Sequence, residues 1–311
     1  MSVTIFSPAK INLFLAITDR RADGFHNLVS VVAPLDFGDE LKATMAERVT
    51  ASRFRLDCDA PGIPRDDSNL ILKAAVAFAE ATGWPESSGR EGVHFELKKR
   101  IPMGAGLGGG SSNAVAALRA MNTLSGNLLP VGKVGAMAVA LGSDCALFLH
   151  DEAVAMRGRG DQIEVLPGAA AKRLSGRKVL LFKPSFGIST PWAYGRMAAE
   201  APAHYLPAPE AEQRLSRWMA GDGSVSSLLF NNMEGVAFRK FVALPVMVKK
   251  MEAELSVAAR MSGSGSTCFA LIGEGATSGG SSGENALVTQ MKHLIRQCWG
   301  EEAFVQEAAL I

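Results

Sequence analysis

Hydrophobic and polar residues alternate along several short segments of the chain, and a spacing of two predicts β-strands with one buried face. Between residues 2 and 18 the apolar side chains fall mainly on odd positions, and Pro8 interrupts the run, so this segment predicts one strand or two. Residues 93–97 alternate in the same way. The same reasoning predicts further strands at 153–156, 162–166, 178–183 and 267–272.

Apolar residues with helical spacing predict helices between these strands. In residues 69–81 the side chains of Leu70, Ala74, Phe78 and Ala81 share one face, and the Asp-Ser-Asn sequence that starts the segment is typical of a helix N-cap. Further helices are predicted from residue 111 onward and at 131–141, 210–219, 228–241, 246–255 and 287–298. Strands and helices alternate without strict βαβ repetition, so the sequence predicts an α+β fold rather than a doubly wound parallel sheet.

Residues 167–176 are rich in small side chains and show neither the strand spacing nor the helical spacing of apolar residues. This predicts a domain boundary there. The length of 311 residues allows two domains of about 150 residues. We therefore expect an N-terminal domain over 1–168 and a C-terminal domain over 169–311. The Gly/Ser tract at 277–283 predicts a surface loop, and the sequence assigns no role to it or to residues 200–227.

Composition excludes several classes of partner. With 32 Lys+Arg against 31 Asp+Glu the net charge is +1, which gives no support for binding to nucleic acid or to an anionic membrane. The four cysteines are far apart and form no CxxC pair, so neither a disulfide framework nor a structural metal is indicated. No apolar run approaches the ~20 residues of a membrane span, and no signal peptide is recognised. We expect a cytoplasmic protein, either a monomer or a weak homodimer.

The most informative segment is a glycine-rich run before the helix predicted from residue 111. It consists of Pro102, Met103, Gly104, Ala105, Gly106, Leu107, Gly108, Gly109, Gly110, Ser111 and Ser112. Glycines let backbone N–H groups converge on an anion, and a helix N-terminus adds partial positive charge, so the run predicts a phosphate cradle. A flexible glycine loop before a helix is the alternative. A dinucleotide fold is disfavoured because no Asp or Glu lies between Ser111 and Ser143, and Walker A fails because Ser111 stands where its Lys is needed.

Two other segments carry polar residues in an apolar setting. The Gly/Ser run containing Gly263, Ser264 and Gly265 precedes a predicted strand, and it is either an ordinary turn or a second wall of a phosphate site. Near the N-terminus, Lys10 and Asn12 lie on one face of a predicted strand because their spacing is two. That pair suits a polar ligand, and an exposed lysine is the alternative.

Asp144 is an isolated acid after the long stretch without Asp or Glu. A carboxylate at this place is either a solvated residue at the end of a helix or a catalytic base. By itself the residue pattern favours the solvated interpretation.

These segments, in this order, resemble the motifs of the GHMP superfamily of small-molecule kinases. Those motifs are a P-x-K-x-N segment, a P-x-G-x-G-L-G-S/G-S-S loop and a C-terminal Gly-rich G-S-G segment, and here they span residues 7–269. The resemblance implies ATP and Mg²⁺ as cofactors. It also implies a two-domain fold in which the N-terminal domain is like ribosomal protein S5 domain 2 and the C-terminal domain is ferredoxin-like.

The Arg-Ala-Asp-Gly-Phe-His-Asn-Leu sequence at 21–28 narrows the resemblance. It is similar to the D-G-Y-H segment of the superfamily member that serves the non-mevalonate pathway of isoprenoid precursor biosynthesis. This implies a phosphotransferase whose small-molecule substrate bears a cytidine diphosphate group. Phe25 replaces the usual Tyr and removes only a hydroxyl, whereas Ala146 replaces a common Pro and should loosen the turn after Asp144.

The resemblance also implies a role for each matching residue. Asp144 corresponds to the general base, and Lys10 to its partner that holds the nucleophile and offsets charge. The residues implied for the substrate are Asn12, Phe25, His26, Tyr194, Gly263, Ser264 and Gly265. Those implied for ATP are Asn69, Lys99 and the eleven residues from Pro102 to Ser112. No protein ligand of the metal is assigned.

Two other functions compete with this hypothesis. A superfamily kinase for homoserine or mevalonate would leave Phe25 and His26 without a use. A non-catalytic ligand sensor on the same fold is the other alternative, and the presence of both Lys10 and Asp144 argues against it.

Overall fold

The computed structural model of the chain describes residues 1–46, 53–85, 92–273 and 280–311. The chain forms two compact units, each made of several separate segments. The first unit comprises Met1–Ala9, Phe37–Pro102 and Gly108–His150. The second comprises Lys10–Asp36, Met103–Leu107 and Asp151–Ile311. Among the described residues, no helix combines the length and the apolar character that crossing a membrane requires.

Strands and helices are mixed along the described chain, as the α+β prediction expects. The strands are β1 (Ser2–Arg20), β2 (His26–Ala46), β3 (Phe54–Cys58), β4 (Gly92–Lys98), β5 (Val154–Arg157), β6 (Gln162–Val165), β7 (Lys178–Lys183), β8 (Phe230–Asn231), β9 (Ala259–Met261), β10 (Cys268–Leu271) and β11 (Phe304–Ala309). The helices are α1 (Leu70–Thr82), α2 (Gly109–Leu124), α3 (Val131–Leu141), α4 (Gly168–Leu174), α5 (Thr190–Ala199), α6 (Ala208–Met219), α7 (Glu234–Lys240), α8 (Ala243–Leu255) and α9 (Gly280–Trp299). Two 3₁₀ segments cover Ala146–Leu149 and Ser226–Leu228.

The first unit pairs the C-terminal part of β2 antiparallel with β4, and β3 parallel with β4. Helices α1, α2 and α3 pack on one another. The alternation predicted for β4 is observed, because Val93, Phe95 and Leu97 are buried while the residues between them are partly exposed. This unit therefore holds the glycine-rich start of α2 on a packed helical layer.

The second unit contains an antiparallel sheet in the order β11-β7-β10-β9. Along the chain these elements follow as strand, helices, two strands, helix and strand, which is the ferredoxin-like arrangement. Residues of α5, α7, α8 and α9 bury one face of this sheet, with Phe182, Met251 and Ile295 fully buried among them. Elsewhere in this unit β8 pairs parallel with β1, and β5 pairs with β2 and β6.

Many predicted elements are confirmed within one to three residues. α3 and β7 have the predicted bounds, and α1 starts after Asn69, which caps it. α2 begins at Gly109, two residues before the predicted start. The sequence analysis assigned no element to β2, β3, β9, β11 or α5.

Pro8 does not divide the N-terminal strand, so the two-strand alternative is wrong. β1 runs without interruption from Ser2 to Arg20. Proline has an extended-compatible φ and lacks only the N–H donor, so a strand tolerates it where no ladder hydrogen bond is needed. Gly38 of β2 provides the space, because a Cβ there would lie 2.3 Å from the Ser7 carbonyl oxygen and 2.8 Å from the Pro8 Cα.

The single helix predicted over 228–241 is wrong. The segment divides into the end of a 3₁₀ turn, the short strand β8 and α7. Phe230 and Asn231 pair with Phe14 and Leu15 of β1, and the Asn231 amide donates to the carbonyl oxygens of Met261 and Gly263. These long-range contacts outweigh the local helical spacing.

Two predicted loops are partly helical. Within 167–176, which was predicted to lack periodicity, residues Gly168–Leu174 form α4, and Ala170 and Leu174 share its buried side. A helix of seven residues is too short to show a clear period in the sequence. In the predicted loop 277–283, residues 280–283 belong to α9, and residues 277–279 lie outside the described residues.

The predicted domain boundary at residue 168 stays a prediction. The compact units follow contacts rather than chain order, so β1 and β2 contribute to both of them. Each candidate site residue belongs to one of these two units.

Candidate active site

The start of α2 in the first unit is prepared for an anion. Gly108 precedes the helix with φ of +72°, no side chain caps the helix, and its first turn has no acidic residue. The first N–H groups of a helix have no partner within it and carry partial positive charge. The glycine-rich run therefore ends in free N–H donors, as a phosphate cradle requires.

Several residues implied for ATP surround this helix start. The Lys99 Nζ lies 2.9 Å from the position that a Cβ on Gly109 would occupy, so the lysine head group lies close against this glycine. The side chain of Leu70, the residue after Asn69, is in ordinary van der Waals contact with the position of a Cβ on Gly110. The structure thus brings Lys99 and the start of α1 to the first turn of α2, within one unit.

A buried acid that the sequence analysis missed holds this corner together. Asp39 is fully buried and forms an ion pair with Lys99. Its carboxylate also accepts the backbone N–H groups of Arg100 and Ile101 and the side-chain amide of Asn113, at 2.7–2.9 Å. Its local sequence gives no signal of this role, because Asp36 and Glu40 lie beside it. Because Lys99 is committed to Asp39, its contact with ATP stays a prediction.

Asn69 has a structural use in the same unit. Its Oδ1 accepts the N–H of Ile71 at 2.9 Å, and its Nδ2 donates to the carbonyl oxygen of Pro64 at 2.7 Å. The residue caps α1, as the Asp-Ser-Asn sequence indicated. Its contact with ATP also stays a prediction.

Asp144 is exposed, and among the described residues its carboxylate has no hydrogen bond or ion pair. The next residue, Cys145, is buried and its thiol is hydrogen-bonded to Ser111 in the first turn of α2. Burial chiefly raises the pKa of Cys145 to about 11, and the negative charge of Asp144 adds to the effect. A solvated carboxylate is therefore held beside the segment that contacts the helix start.

The second unit contains the first half of the glycine-rich run. Gly104 and Gly106 have φ of +57° and +76°, and a Cβ on Gly106 would lie 2.2 Å from the Ser262 carbonyl oxygen. The Gly106 carbonyl accepts the Ser262 hydroxyl at 3.1 Å, and the Ala105 carbonyl accepts the N–H of Thr267 at 3.1 Å. The second Gly/Ser segment is the β9–β10 connection, and it packs directly on the first.

Lys10 and Asn12 lie on one face of β1, as predicted, and both are buried. Lys10 is 5% exposed and Asn12 7%, so the alternative of an exposed lysine is wrong. The Lys10 Nζ donates to the Asn12 Oδ1 at 2.6 Å, and the Asn12 Nδ2 donates to the Ser30 hydroxyl at 3.0 Å. A Cβ on Gly263 would lie 3.4 Å from both the Lys10 Nζ and the Asn12 Oδ1. The loop thus lies in contact with this pair, and the φ of +57° at Gly263 is a conformation that favours glycine.

His26 lies in an aromatic cluster of the second unit. Its ring is 5.0 Å from the ring of Tyr194, centroid to centroid, and its Nε2 is 3.1 Å from the hydroxyl of Tyr205. The predicted aromatic partner Tyr194 is therefore brought to His26. Phe25 is half exposed, with the Arg159 guanidinium over its ring at 5.2 Å. The pairing of Phe25 with Tyr194 around a base stays a prediction.

Tyr205 was missed by the sequence analysis. It is one of only two tyrosines in the chain, and both contact His26. Burial lowers the pKa of His26 below its usual 6.5, with a further lowering by Arg20 and an opposite effect from Asp19. The ring is therefore neutral near pH 7 and able to both donate and accept a hydrogen bond.

Comparison with known proteins identifies the family. The model of the GHMP kinases N terminal domain matches residues 69–152. The 4-diphosphocytidyl-2-C-methyl-D-erythritol kinase of Synechococcus sp. strain CC9311 is 35% identical over 281 residues, which cover 87% of each chain. The chain belongs to the 4-diphosphocytidyl-2-C-methyl-D-erythritol kinase family. The GHMP resemblance of its motifs is thereby confirmed.

Solved structures confirm the fold of this family member. A crystal structure of 4-(cytidine 5'-diphospho)-2C-methyl-D-erythritol kinase has a TM-score of 0.73 and 30% identity, with 99% of each chain covered. A homoserine kinase from Cytophaga hutchinsonii has a TM-score of 0.72 at 18% identity, covering 99% of this chain and 95% of its own. The second likeness concerns the fold alone. Together they confirm the α+β GHMP kinase fold.

A cavity of about 230 Å³ in the second unit contains none of the predicted site residues. Its walls are formed by Phe14, Arg214, Arg217, Trp218, Asp222, Ser227, Leu228, Leu229 and Phe230. Nothing in the motifs of the kinase family assigns this cavity to the reaction.

Glu234, at the start of α7, is a further acid, partly buried, that could not be found from the sequence. Its Oε1 accepts the N–H of Met261 at 2.8 Å, at the end of β9 where the second Gly/Ser segment begins. Burial raises the pKa of Glu234 to about 7, despite the opposing effects of this hydrogen bond and of Arg260. The carboxyl therefore anchors the β9–β10 connection in a partly protonated state near neutral pH.

The variant Glu234→Gln is expected to remove a pH dependence of stability. The folded-state pKa of about 7 exceeds the usual 4.5, so between these values the folded protein retains a proton that the unfolded chain releases. The free energy of unfolding of the wild type should therefore fall as pH rises through this window, by up to about 3 kcal/mol. Glutamine keeps an oxygen acceptor for Met261 and does not titrate. Urea unfolding at pH 5 and pH 8 measures the difference.

The exposed Glu80→Gln on α1 serves as the control, and its effect should be the same at both pH values. If Glu234→Gln changed the free energy of unfolding equally at pH 5 and pH 8, the raised pKa of Glu234 would be wrong.

Proposed function

We propose that this chain catalyses the ATP-dependent phosphorylation of the 2-hydroxyl of 4-diphosphocytidyl-2-C-methyl-D-erythritol. The products are the 2-phosphate and ADP, and the reaction belongs to the methylerythritol phosphate pathway of isoprenoid precursors. The observation that carries the proposal is membership of this kinase family at 35% identity over 87% of the chain. Retention of Lys10, Asp144 and the Asp-Gly-Phe-His segment supports it.

The residues present fit the phosphates of ATP. The uncapped start of α2 provides N–H donors, and the positive φ values of Gly104, Gly106 and Gly108 are a conformation that glycine adopts without strain. Phosphoryl transfer needs positioning and charge stabilisation more than covalent chemistry, so such a cradle carries much of the task. The Lys99 ammonium, which is paired with Asp39, lies at the same helix start.

The donor set also fits Mg²⁺ held mainly by the nucleotide. No group of three or more His, Cys, Asp or Glu side chains among the described residues could hold a metal ion. Mg²⁺ in kinases is commonly bound by one or two carboxylates together with substrate phosphates and waters, so a protein cage is not required. When bound, it neutralises the charge that develops on the transferring phosphoryl group. The nucleotide phosphates and waters would therefore hold the ion, and no residue of this chain is assigned to it.

Asp144 also suits the role of proton acceptor. Its carboxylate is exposed and engaged by no described residue, so it can accept the proton of a substrate hydroxyl. A base within hydrogen-bond reach contributes roughly 10² to 10⁴ in rate. In the second unit, the buried Lys10 ammonium is held by Asn12 and can bind an oxygen that gains negative charge.

The aromatic cluster of the second unit supports a pyrimidine-bearing substrate. Tyr194 and Phe25 offer ring faces, and stacking of a base on an aromatic side chain contributes roughly 1 to 3 kcal/mol. His26 offers a neutral ring edge beside Tyr194. Homoserine and mevalonate have no ring that would use this cluster, which disfavours them as substrates.

The test is a substrate panel with the purified chain, ATP and Mg²⁺. We expect ADP to form with 4-diphosphocytidyl-2-C-methyl-D-erythritol, and ³¹P NMR to show a new phosphomonoester beside the intact diphosphate. Homoserine and mevalonate should give no ADP above background. Turnover of either of them instead would contradict the proposed substrate, and binding without any ADP would favour a ligand sensor.

A further inference from the structure

Both tyrosines of the chain contact His26, but in different ways. Tyr194 contacts the imidazole through its ring, with the two ring planes tilted by 39°. Tyr205 meets it edge-on, and its hydroxyl oxygen lies 3.1 Å from the His26 Nε2. Tyr205 is therefore the residue able to influence which ring nitrogen of His26 carries the hydrogen.

Hydrogen bonds hold the backbone around Tyr205 against β1. The N–H of Tyr205 donates to the Pro202 carbonyl oxygen at 2.9 Å, and the N–H of Leu206 donates to the Ile17 carbonyl oxygen at 3.1 Å. The side-chain amide of Asn232 bridges the carbonyl oxygens of His204 and Ile17, at 2.9 and 2.8 Å. The segment around Tyr205 is thus tied to the same strand that leads toward His26.

The chemistry of the two groups sets the direction of their hydrogen bond. Burial, reinforced by Arg20, lowers the pKa of His26, so the ring is neutral near pH 7 and has one bare nitrogen. Burial raises the pKa of Tyr205, so its hydroxyl keeps its hydrogen. A phenol is a better donor than acceptor, and a bare imidazole nitrogen is a strong acceptor. This chemistry favours a hydrogen bond in which the hydroxyl donates to Nε2, which leaves the hydrogen of His26 on Nδ1.

We propose that Tyr205 is a positioning residue that holds His26 as the Nδ1–H tautomer and thereby makes the site select cytosine over uracil. This inference rests on the proposed function. Cytosine presents a bare ring nitrogen at N3, which an Nδ1–H donor satisfies. Uracil presents an N–H at N3, so the same tautomer would face it donor to donor. A site built on hydrogen bonds rejects a ligand that leaves them unmade.

The test compares Tyr205→Phe with Tyr194→Phe, because each removes the hydroxyl of a tyrosine whose ring contacts His26. The first readout is the ¹⁵N spectrum of His26 in the free protein, which distinguishes a protonated from a bare ring nitrogen without any substrate. We expect Nδ1 to be protonated in the wild type and in Tyr194→Phe. In Tyr205→Phe we expect a mixture of the two tautomers.

The second readout is the ratio of kcat/KM for the cytidine diphosphate substrate to that for its uridine analogue. In Tyr205→Phe this ratio should fall about tenfold or more, since the free ring can adopt the tautomer that suits uracil. Tyr194→Phe should affect both substrates alike and leave the ratio within about twofold of the wild type.

An Nε2–H tautomer in the wild type, or an unchanged ratio in Tyr205→Phe, would overturn the inference. These failures are distinct from failure of the proposed function, in which the wild type would phosphorylate neither nucleotide substrate. In that case the selectivity would fall with the function, and the ¹⁵N spectra would still decide the tautomer.

Discussion

Replacing Asp144 by Asn is expected to lower kcat about 100-fold or more while the free energy of unfolding stays within about 0.5 kcal/mol of the wild type. The substitution keeps the shape of the side chain and removes its ability to accept a proton. Asp144 is exposed and makes no hydrogen bond or ion pair with any described residue, so no stabilising contact is lost. Steady-state ADP formation and urea unfolding measure the two effects separately.

The exposed Asp222→Asn in the second unit is the matched control. Its carboxylate also has no hydrogen bond or ion pair among the described residues, and the same chemical change should leave kcat within about twofold. A loss confined to kcat in Asp144→Asn, with KM for both substrates retained, is the pattern of a group that acts in the transition state. Turnover of Asp144→Asn within a few-fold of the wild type would rule out the general-base role.

Asp144 is a residue whose importance, but not whose surroundings, could be predicted from the sequence. The two interpretations of this residue were a solvated acid and a catalytic base, and its exposure is compatible with both. Spacing within the chain identified it because it is the first acid after the long stretch without Asp or Glu. Spacing could not show that Cys145, the next residue, is hydrogen-bonded to Ser111 at the start of α2, because 34 residues separate them.

Residues that act through distant partners were the ones that sequence reasoning missed. Asp39 accepts hydrogen bonds from Arg100, Ile101 and Asn113. Glu234 accepts one from the N–H of Met261. Each is an ordinary acid in its local sequence, and its importance arises from burial that only the tertiary structure creates. Tyr205 is a similar case, since 179 positions separate it from His26.

Local patterns predicted secondary structure well where burial follows one period. β7 has its predicted bounds because it is a short continuous run that is buried from residue 179 to 183, and in α3 the buried Val134 and Ala138 lie four residues apart. The segment 228–241 was predicted wrongly because its apolar spacing is helical, whereas Phe230 and Asn231 are drawn into pairing with β1. The glycine motifs were predictable because several of their positions have positive φ, and at Gly106 a Cβ would also lie 2.2 Å from a backbone oxygen.

Lys10→Met is expected to lower kcat about 100-fold or more, and this loss should exceed what partial unfolding of the variant explains. The Lys10 ammonium is buried, and its Nζ donates to Asn12 at 2.6 Å. Methionine has a similar volume, so packing is kept, while the Asn12 oxygen loses this donor at a cost of about 1 to 3 kcal/mol. Removing a buried charge offsets part of that cost. In the reaction, the variant lacks the positive charge that would bind the substrate oxygen as it becomes negative, and nothing offsets that loss.

Lys183→Met is the matched control for this change. Lys183 is 7% exposed, and among the described residues its Nζ donates to the Pro184 carbonyl oxygen at 2.9 Å. Both variants replace a nine-tenths buried lysine of the second unit with methionine, so their melting temperatures should shift by similar amounts. Only Lys10→Met should lose turnover by orders of magnitude. If the two variants lost activity equally, or if Lys10→Met lost activity only in proportion to its unfolding, Lys10 would be a structural lysine and the proposed charge stabilisation would be wrong.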